Sequence, residues 1–334
     1  MRNRKSTIWG LIASSAMLVM ILDAKTTFQS AQSGLLLCIR TVIPSLFPFF
    51  ILSGILNSCL LGHKTKVLKP LGRLCKIPTG GESLLLIGLL GGYPVGAQII
   101  AQVYQSGNIS KKTAHRILGF CNNAGPAFLF GMLSPLFTNS YVPWIIWLIH
   151  IVSALLIGCF LPGKKADRCN ISPLQPISFP KSLQNATKNI VSVCGWVITF
   201  RVIIGFCARW FLWWFPAELQ VLFCGLLELS NGIVLLNNLP SEALRFVLSS
   251  FMLAFGGLCV AMQTASVTED LGLGYYIPGK IIHALLATVI SILLLPILFK
   301  HQIVIPQLLP FMIVFIIPFI LIPLLRRKKV VAFT

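Results

Sequence analysis

Apolar runs of membrane-crossing length recur from one end of this chain to the other, and nothing else constrains its fold as tightly. They occupy residues 6–22, 34–60, 83–105, 113–136, 143–162, 184–208, 219–238, 244–266, 281–299 and 303–325. A helix needs about 20 residues to cross the hydrocarbon core. Of the 334 residues, 56% are hydrophobic and 10% charged, where a soluble domain carries roughly 25% charged residues. The mean hydropathy is +0.86. There is too little polar surface to coat a soluble globule of this size. The short alternating segments of a β-barrel are not found. The chain reads as an all-α polytopic membrane protein with the lipid bilayer as its surroundings.

The net charge of +19 does not point to nucleic acid. Lys and Arg cluster in the short loops between apolar runs, as at Lys64, Lys66, Lys69, Arg73 and Lys76, or at Arg326, Arg327, Lys328 and Lys329. That is the positive-inside pattern. The ten cysteines form no C-x-x-C pair; most, such as Cys38, Cys121, Cys194 and Cys259, lie within apolar runs and read as small buried hydrophobes. The basic start followed by an apolar run over 6–22 fits either a cleaved signal peptide or a retained first helix. No clean A-x-A site follows, which favours retention.

The stretch "LLIGLLGGYPVGAQII" (85–100) is apolar enough for a membrane, yet Gly91, Gly92 and Pro94 break any helix at its centre. Charge explains the break. If every run crossed, Lys111, Lys112 and Arg116 would lie outside. If 83–105 enters and returns on one side, turning at 91–96, these residues fall inside. Each arm is then about 10 residues, or roughly half the hydrocarbon thickness. Segment 113–136 then exits, "FTNSY" lies outside, and 143–162 returns to the basic linker 163–183, with Lys164, Lys165, Arg168 and Lys181.

The second half repeats the pattern. Segment 184–208 exits into the aromatic stretch "RWFLWWF" (209–215). Segment 219–238 is broken at Glu228–Gly232 and reads as a second hairpin, and the acidic "LPSEA" that follows suits the outside. The loop 267–280 falls inside with Glu269 and Asp270 against one Lys280. Gly88-Leu89-Leu90 matches Gly225-Leu226-Leu227, and Gly125 falls near Gly256 when the following segments are aligned. The predicted fold is therefore an inverted-topology repeat with two re-entrant helical hairpins and about eight transmembrane helices, as in secondary transporters. The predicted divisions are a signal-anchor helix (1–33), a first repeat (34–162), a basic cytoplasmic linker (163–183), a second repeat (184–299), and a C-terminal helix with basic tail (300–334). Both termini are cytoplasmic.

Four polar, Gly-rich clusters interrupt the apolar runs: Gly91–Gly96 with Gln98; Cys121–Pro126; Glu228–Gly232; and Gly256-Gly257 with Met262-Gln263-Thr264. Exposed helix N-termini at mid-depth bind anions, and free carbonyls bind cations. Close helix packing alone also uses such residues. Glu228 lies mid-segment, where an ionisable group is costly. It reads as a proton, cation or substrate ligand, or as the structural partner of Arg201. Arg40 and Arg201, also inside runs, either neutralise an anionic solute or snorkel to an interface. His150 stands alone among apolar residues, and no His pair has ligand spacing. No metal, cofactor or catalytic residue is assigned; H-E-x-x-H, G-x-S-x-G and P-loop motifs are not found.

The ordered set "VIPSLFPFFILSGIL" (42–56), "GLLGGYPVGAQII" (88–100), "FCNNAGPAFLFG" (120–131), "GLLELSNGI" (225–233) and "FGGLCVAMQ" (255–263) resembles the YlbJ-like sporulation integral membrane proteins, within the nucleoside-recognition or Gate domain group. The resemblance covers roughly 34–300. It implies a Gate-like core in each repeat, a place in the outer forespore membrane of a sporulating bacterium, and movement of dipicolinic acid, a small aromatic dianion, toward the forespore. A nucleoside-like solute is the alternative substrate, and a non-transporting spore-maturation protein the alternative role. On the transport reading Gly92, Tyr93, Pro94, Gly96, Asn122, Asn123, Gly125, Glu228, Ser230, Asn231, Gly232 and Gln263 form the substrate site, with Tyr93 placed to stack on an aromatic ring and the amides to fix carboxylates. The expected partners are a small anionic solute, the bilayer, and a second copy or another membrane protein.

Overall fold

A computed structural model describes residues 2–63, 66–161, 171 and 175–299. The run 303–325, the tail Arg326–Lys329, and Lys164, Lys165 and Arg168 of the linker lie outside the described residues.

Helix α1 (Arg2–Leu22) exposes Ile8, Trp9, Leu11, Met17 and Leu18. Asp23 then caps α2 (Ala24–Leu37), its carboxylate accepting the Thr26 N–H at 3.2 Å. Residues 24–33, placed with the signal-anchor helix in the sequence division, belong to this second helix, which continues toward the 34–60 run. Thr26 and Thr27 carry weak helix preferences, but the cap and the packing described below override them. α2 runs into α3 (Ile43–Leu60) through a π-helical stretch, Cys38–Val42, in which the Ile43 N–H reaches Cys38 O. Pro44 lacks the N–H that an α-helix would send to residue 40; a wider turn there is the usual remedy.

A short α4 (Lys69–Leu74) leads into the first interrupted run, α5 (Ser83–Leu90) and α6 (Val95–Gln105). The next run is also broken, into α7 (Lys111–Leu118) and α8 (Pro126–Leu133). α9 (Val142–Phe160) and α10 (Phe179–Trp210) are continuous. The pattern then recurs: α11 (Ala217–Leu227) and α12 (Leu229–Leu235), followed by α13 (Glu242–Phe255) and α14 (Gly257–Thr268), and last α15 (Tyr276–Leu298).

Among the described residues five helices are long and apolar enough to cross a membrane: Ala24–Leu60, Val142–Phe160, Phe179–Trp210, Glu242–Leu271 and Tyr276–Leu298. Ser6–Leu22, Pro126–Leu136 and Ala217–Leu227 are shorter apolar helices. α2–α3 and α10 lie antiparallel along their lengths. Asp23 pairs with Arg209 at 2.8 Å, Ile51 O accepts from Ser182 Oγ at 2.7 Å, and Ser58 Oγ accepts from the Ile177 N–H at 3.0 Å. Small residues allow this close approach: a Cβ on Gly34 would stand 3.1 Å from Ile198 Cα.

Loops gather in two groups. In one, the Arg116 guanidinium donates to Cys75 O, Lys76 O and Gly158 O, Lys111 Nζ donates to Asp270 O, and the Ile171 N–H donates to Thr79 O. In the other are the Asp23–Arg209 pair and the bonds from Thr138 N–H to Glu242 and from Arg245 Nη1 to Leu136 O. Loop 267–280 is shorter than predicted, because α15 begins at Tyr276 and Lys280 belongs to it.

Candidate functional site

At the first interruption α5 ends against Gly91 and Gly92, the latter at φ 79°, and α6 begins after a cis Tyr93–Pro94 bond. Two asparagines from the α7–α8 break hold these ends together. Asn123 Nδ2 donates to Gly88 O (3.1 Å) and Phe120 O (2.7 Å). Both partners are carbonyls, so the amide orientation is fixed and Oδ1 faces the other way. Asn122 Oδ1 accepts the Ala97 N–H at 3.3 Å, one of the open donors at the start of α6. Its Nδ2 donates to Thr264 Oγ1 of α14 at 2.9 Å. Gly88 and Gly96 sit against Cys121, where any side chain would strike its backbone, and a Cβ on Gly125 would stand 3.1 Å from Gly92 Cα.

The second interruption is built differently. Glu228 takes an extended conformation and caps α12. Its Oε1 accepts the Ser230 N–H (3.0 Å); its Oε2 accepts the Asn231 N–H (2.7 Å) and Nδ2 (2.6 Å). The residue is 2% exposed. Its negative charge sits at the positive end of a short helix, where it is favoured. No ion pair with Arg201 is recorded: among the described residues the recorded pair is Arg209–Asp23. The chain folds back so tightly here that a Cβ on Gly232 would collide with Gly225 Cα, while one on Gly257 would stand 3.1 Å from Gly225 O.

The interruptions interlock. Tyr93, at the first tip, donates its hydroxyl to Leu253 O (3.1 Å) near the end of α13, and its ring lies beside Gly256, the left-handed residue (φ 84°) between α13 and α14. Tyr93, Gly125, Glu228, Ser230 and Gln263 together line a buried cavity of about 30 Å³, closed on the α3 and α10 side by Val42, Leu46, Val193 and Val197. It has room for water and not for an organic solute. A larger cavity of about 690 Å³ lies further along the same two helices, with Asn57, Gln98, Gln102, Lys181, Asn185 and Asn189 on its walls.

The structure thus brings Tyr93, Gly125, Glu228, Ser230 and Gln263 to one space. Gly92 and Pro94 shape the tip beside it. Asn122, Asn123, Asn231, Gly96 and Gly232 brace the backbone around it rather than lining it. Arg40 is exposed in the π-helical stretch, and Arg201 is half-buried on α10 where it packs beside Gly34. Neither lines the cavity.

Sequence reasoning misses the most unusual group. Lys280 is 1% exposed. Its Nζ donates to Tyr93 Oη (3.0 Å) and Asn123 Oδ1 (2.9 Å), and lies 4.9 Å from the Tyr93 ring centroid. His150 is not alone either. Its ring lies 4.7 Å from that of His283, whose Nε2 donates to His150 O at 2.9 Å. Tyr276, Lys280 and His283 recur at i, i+4 and i+7 on one helix face, and that spacing is the signal available in the sequence. Among the described residues no group of three or more His, Cys, Asp or Glu is placed to hold a metal ion.

Fold and site together define a polytopic α-helical membrane protein whose described residues include two pairs of broken helices that meet around a small cavity. No family model matches the chain, and no solved structure gives a significant match. The sporulation integral membrane protein YlbJ of Bacillus subtilis (strain 168) is a relative, 24% identical in an alignment 292 residues long that covers 74% of this chain and 71% of that protein. This distant but broad likeness supports the assignment of the chain to the YlbJ-like family that its motifs resemble.

Proposed function

We propose that the protein is a secondary transporter of a small organic anion. One observation carries the reading: two interrupted helix pairs, at matching places in the chain, meet around a small cavity into which Glu228, Ser230 and Gln263 bring polar groups, beside an amine that has no carboxylate partner among the described residues. Several contacts favour re-entrant hairpins in an inverted repeat. Arg116, just after α6, bonds to carbonyls just before α5. Phe211 and Leu235, flanking the second pair, share one apolar cluster. Gly125 lies against Leu90 O in the first half, as Gly257 lies against Leu227 O in the second. The cavity is closed to solute in this arrangement. Loading requires the tip bearing Tyr93 or the wall of Val193 and Leu46 to move, and the larger polar cavity is the approach from one side.

The relative's name places it in sporulation. With the family resemblance, this makes dipicolinic acid the proposed solute, moved toward the forespore across its outer membrane, with both termini of the carrier in the cytoplasm. The test is uptake of labelled dipicolinate into vesicles holding the purified protein. Uptake should saturate, and should fall about tenfold or more in Asn123→Ala, a loss within the usual range for displaced binding groups. A folded wild-type protein that moves neither dipicolinate nor related small anions would leave the second reading, a structural membrane protein of the spore. One observation favours that second reading: the amides of Asn122 and Asn123 spend their recorded hydrogen bonds within the protein.

A further inference from the structure

Lys280 stands behind the cavity rather than in it. Tyr93 lines the cavity and Nζ lies over its ring, whereas neither Lys280 nor Asn123 is among the lining residues. Both partners accept. Tyr93 sends its own proton to Leu253 O, and Asn123 is fixed with its oxygen toward the lysine. A neutral amine donates two bonds as readily as an ammonium does, so this cradle holds either form. What it does not supply is a countercharge. The ionisable groups facing Nζ are Tyr93 from the first tip, Cys121 from the α7–α8 break, His150 from α9, and Tyr276 and His283 from α15 itself. None is a carboxylate. Glu228 lines the same cavity, with its oxygens accepting from Ser230 and Asn231 at the start of α12.

An uncompensated charge buried at this depth is unfavourable. An anion in the cavity across the Tyr93 ring would supply the missing opposite charge. Proton and anion then favour each other's binding by the same factor, as linkage requires. We propose that Lys280 is the proton-carrying site of the transporter: it gains a proton from water as the anion enters and returns it to water on the far side as the anion leaves. His283 and His150 extend the site. His283 Nδ1 and both nitrogens of His150 are buried without a recorded hydrogen-bond partner among the described residues. Movement of the tip that carries Tyr93 exposes amine and cavity to water together. The inference rests on the transport reading above.

The experiment uses vesicles holding the full chain and a trapped pH dye. Counterflow of labelled dipicolinate, which needs no driving gradient, reports transport alone; dye response on adding dipicolinate reports protons. Wild type should show both. Lys280→Gln keeps donors for Tyr93 and Asn123 but carries no charge, and should lose the proton signal by about tenfold or more, the size of an ordinary coupling between sites. Lys280→Arg holds a permanent charge and should lose the proton signal by more than it loses counterflow. Counterflow without proton entry in wild type, or proton entry that persists in both variants, overturns the proposal and leaves the transport reading standing. A folded wild type with no counterflow removes both.

Discussion

At the second interruption, the donors left open by a broken helix are satisfied from within: Glu228 reaches forward two and three residues and closes the start of α12. At the first, help comes from far along the chain. Asn122 and Asn123 lie about 25 to 35 residues from the groups they brace, and Lys280 lies 187 residues from Tyr93. Each break creates the same problem, polar backbone in an apolar setting. One half answers it with a local carboxylate and the other with a distant amine. The second tip is therefore a self-contained unit, whereas the first is a junction whose geometry depends on α13, α15 and the α7–α8 break at once. A junction of that kind can report the state of the cavity to the rest of the molecule.

The sharpest way to break this contrast is to remove one anchor from each side. Glu228→Ala leaves buried donors of α12 without acceptors and should cost about 3 kcal/mol or more, seen as a large fall in the unfolding midpoint in detergent. Tyr93→Phe removes one hydroxyl from a junction with other supports and should cost about 1 kcal/mol. Equal losses would mean that the second tip is not self-contained. Next in size is the close crossing at the second tip. Gly232→Ala places a methyl group on Gly225 Cα and should destabilise by about 1–3 kcal/mol through overpacking. Gly195→Ala meets nothing within 4 Å on α10 and should be neutral or stabilising by up to about 1 kcal/mol. A tolerated Gly232→Ala would show that the fold-back at Glu228 opens easily.

The breaks are legible in the sequence because Gly91, Gly92 and Pro94 interrupt an apolar run in a way that no helix absorbs, and the matched Gly-Leu-Leu triplets show that it happens twice. Partners are not legible. Lys280 lies one residue before the apolar run 281–299, so hydropathy assigns it to a loop, although only the start of α15 at Tyr276 decides its place. His150 and His283 each look solitary because 133 residues separate them. The outward positions of Arg40 and Arg201 depend on which face of a long helix packs inward, and a helix apolar on every side carries no such mark.

The smallest effect belongs to the end of the molecule where α2 and α10 meet, and it separates a local cap from a long-range pair. Hydrogen bonding from Thr26, ahead of the charges of Arg209 and Lys25, holds the Asp23 carboxyl below its ordinary value of 3.8. A carboxylate with a lowered value in the folded protein stabilises it above the unfolded value, and that contribution fades as pH falls through the folded one. The difference in unfolding midpoint between wild type and Asp23→Asn should therefore be constant from neutral pH down to about pH 5, and should shrink as pH drops below 3.8. Arg209→Gln should remove less of that difference than Thr26→Val, which deletes the Thr26 side-chain bond to Asp23 and leaves the backbone cap in place. The reverse order would mean that the salt bridge, and not the Thr26 side chain, sets the Asp23 contribution.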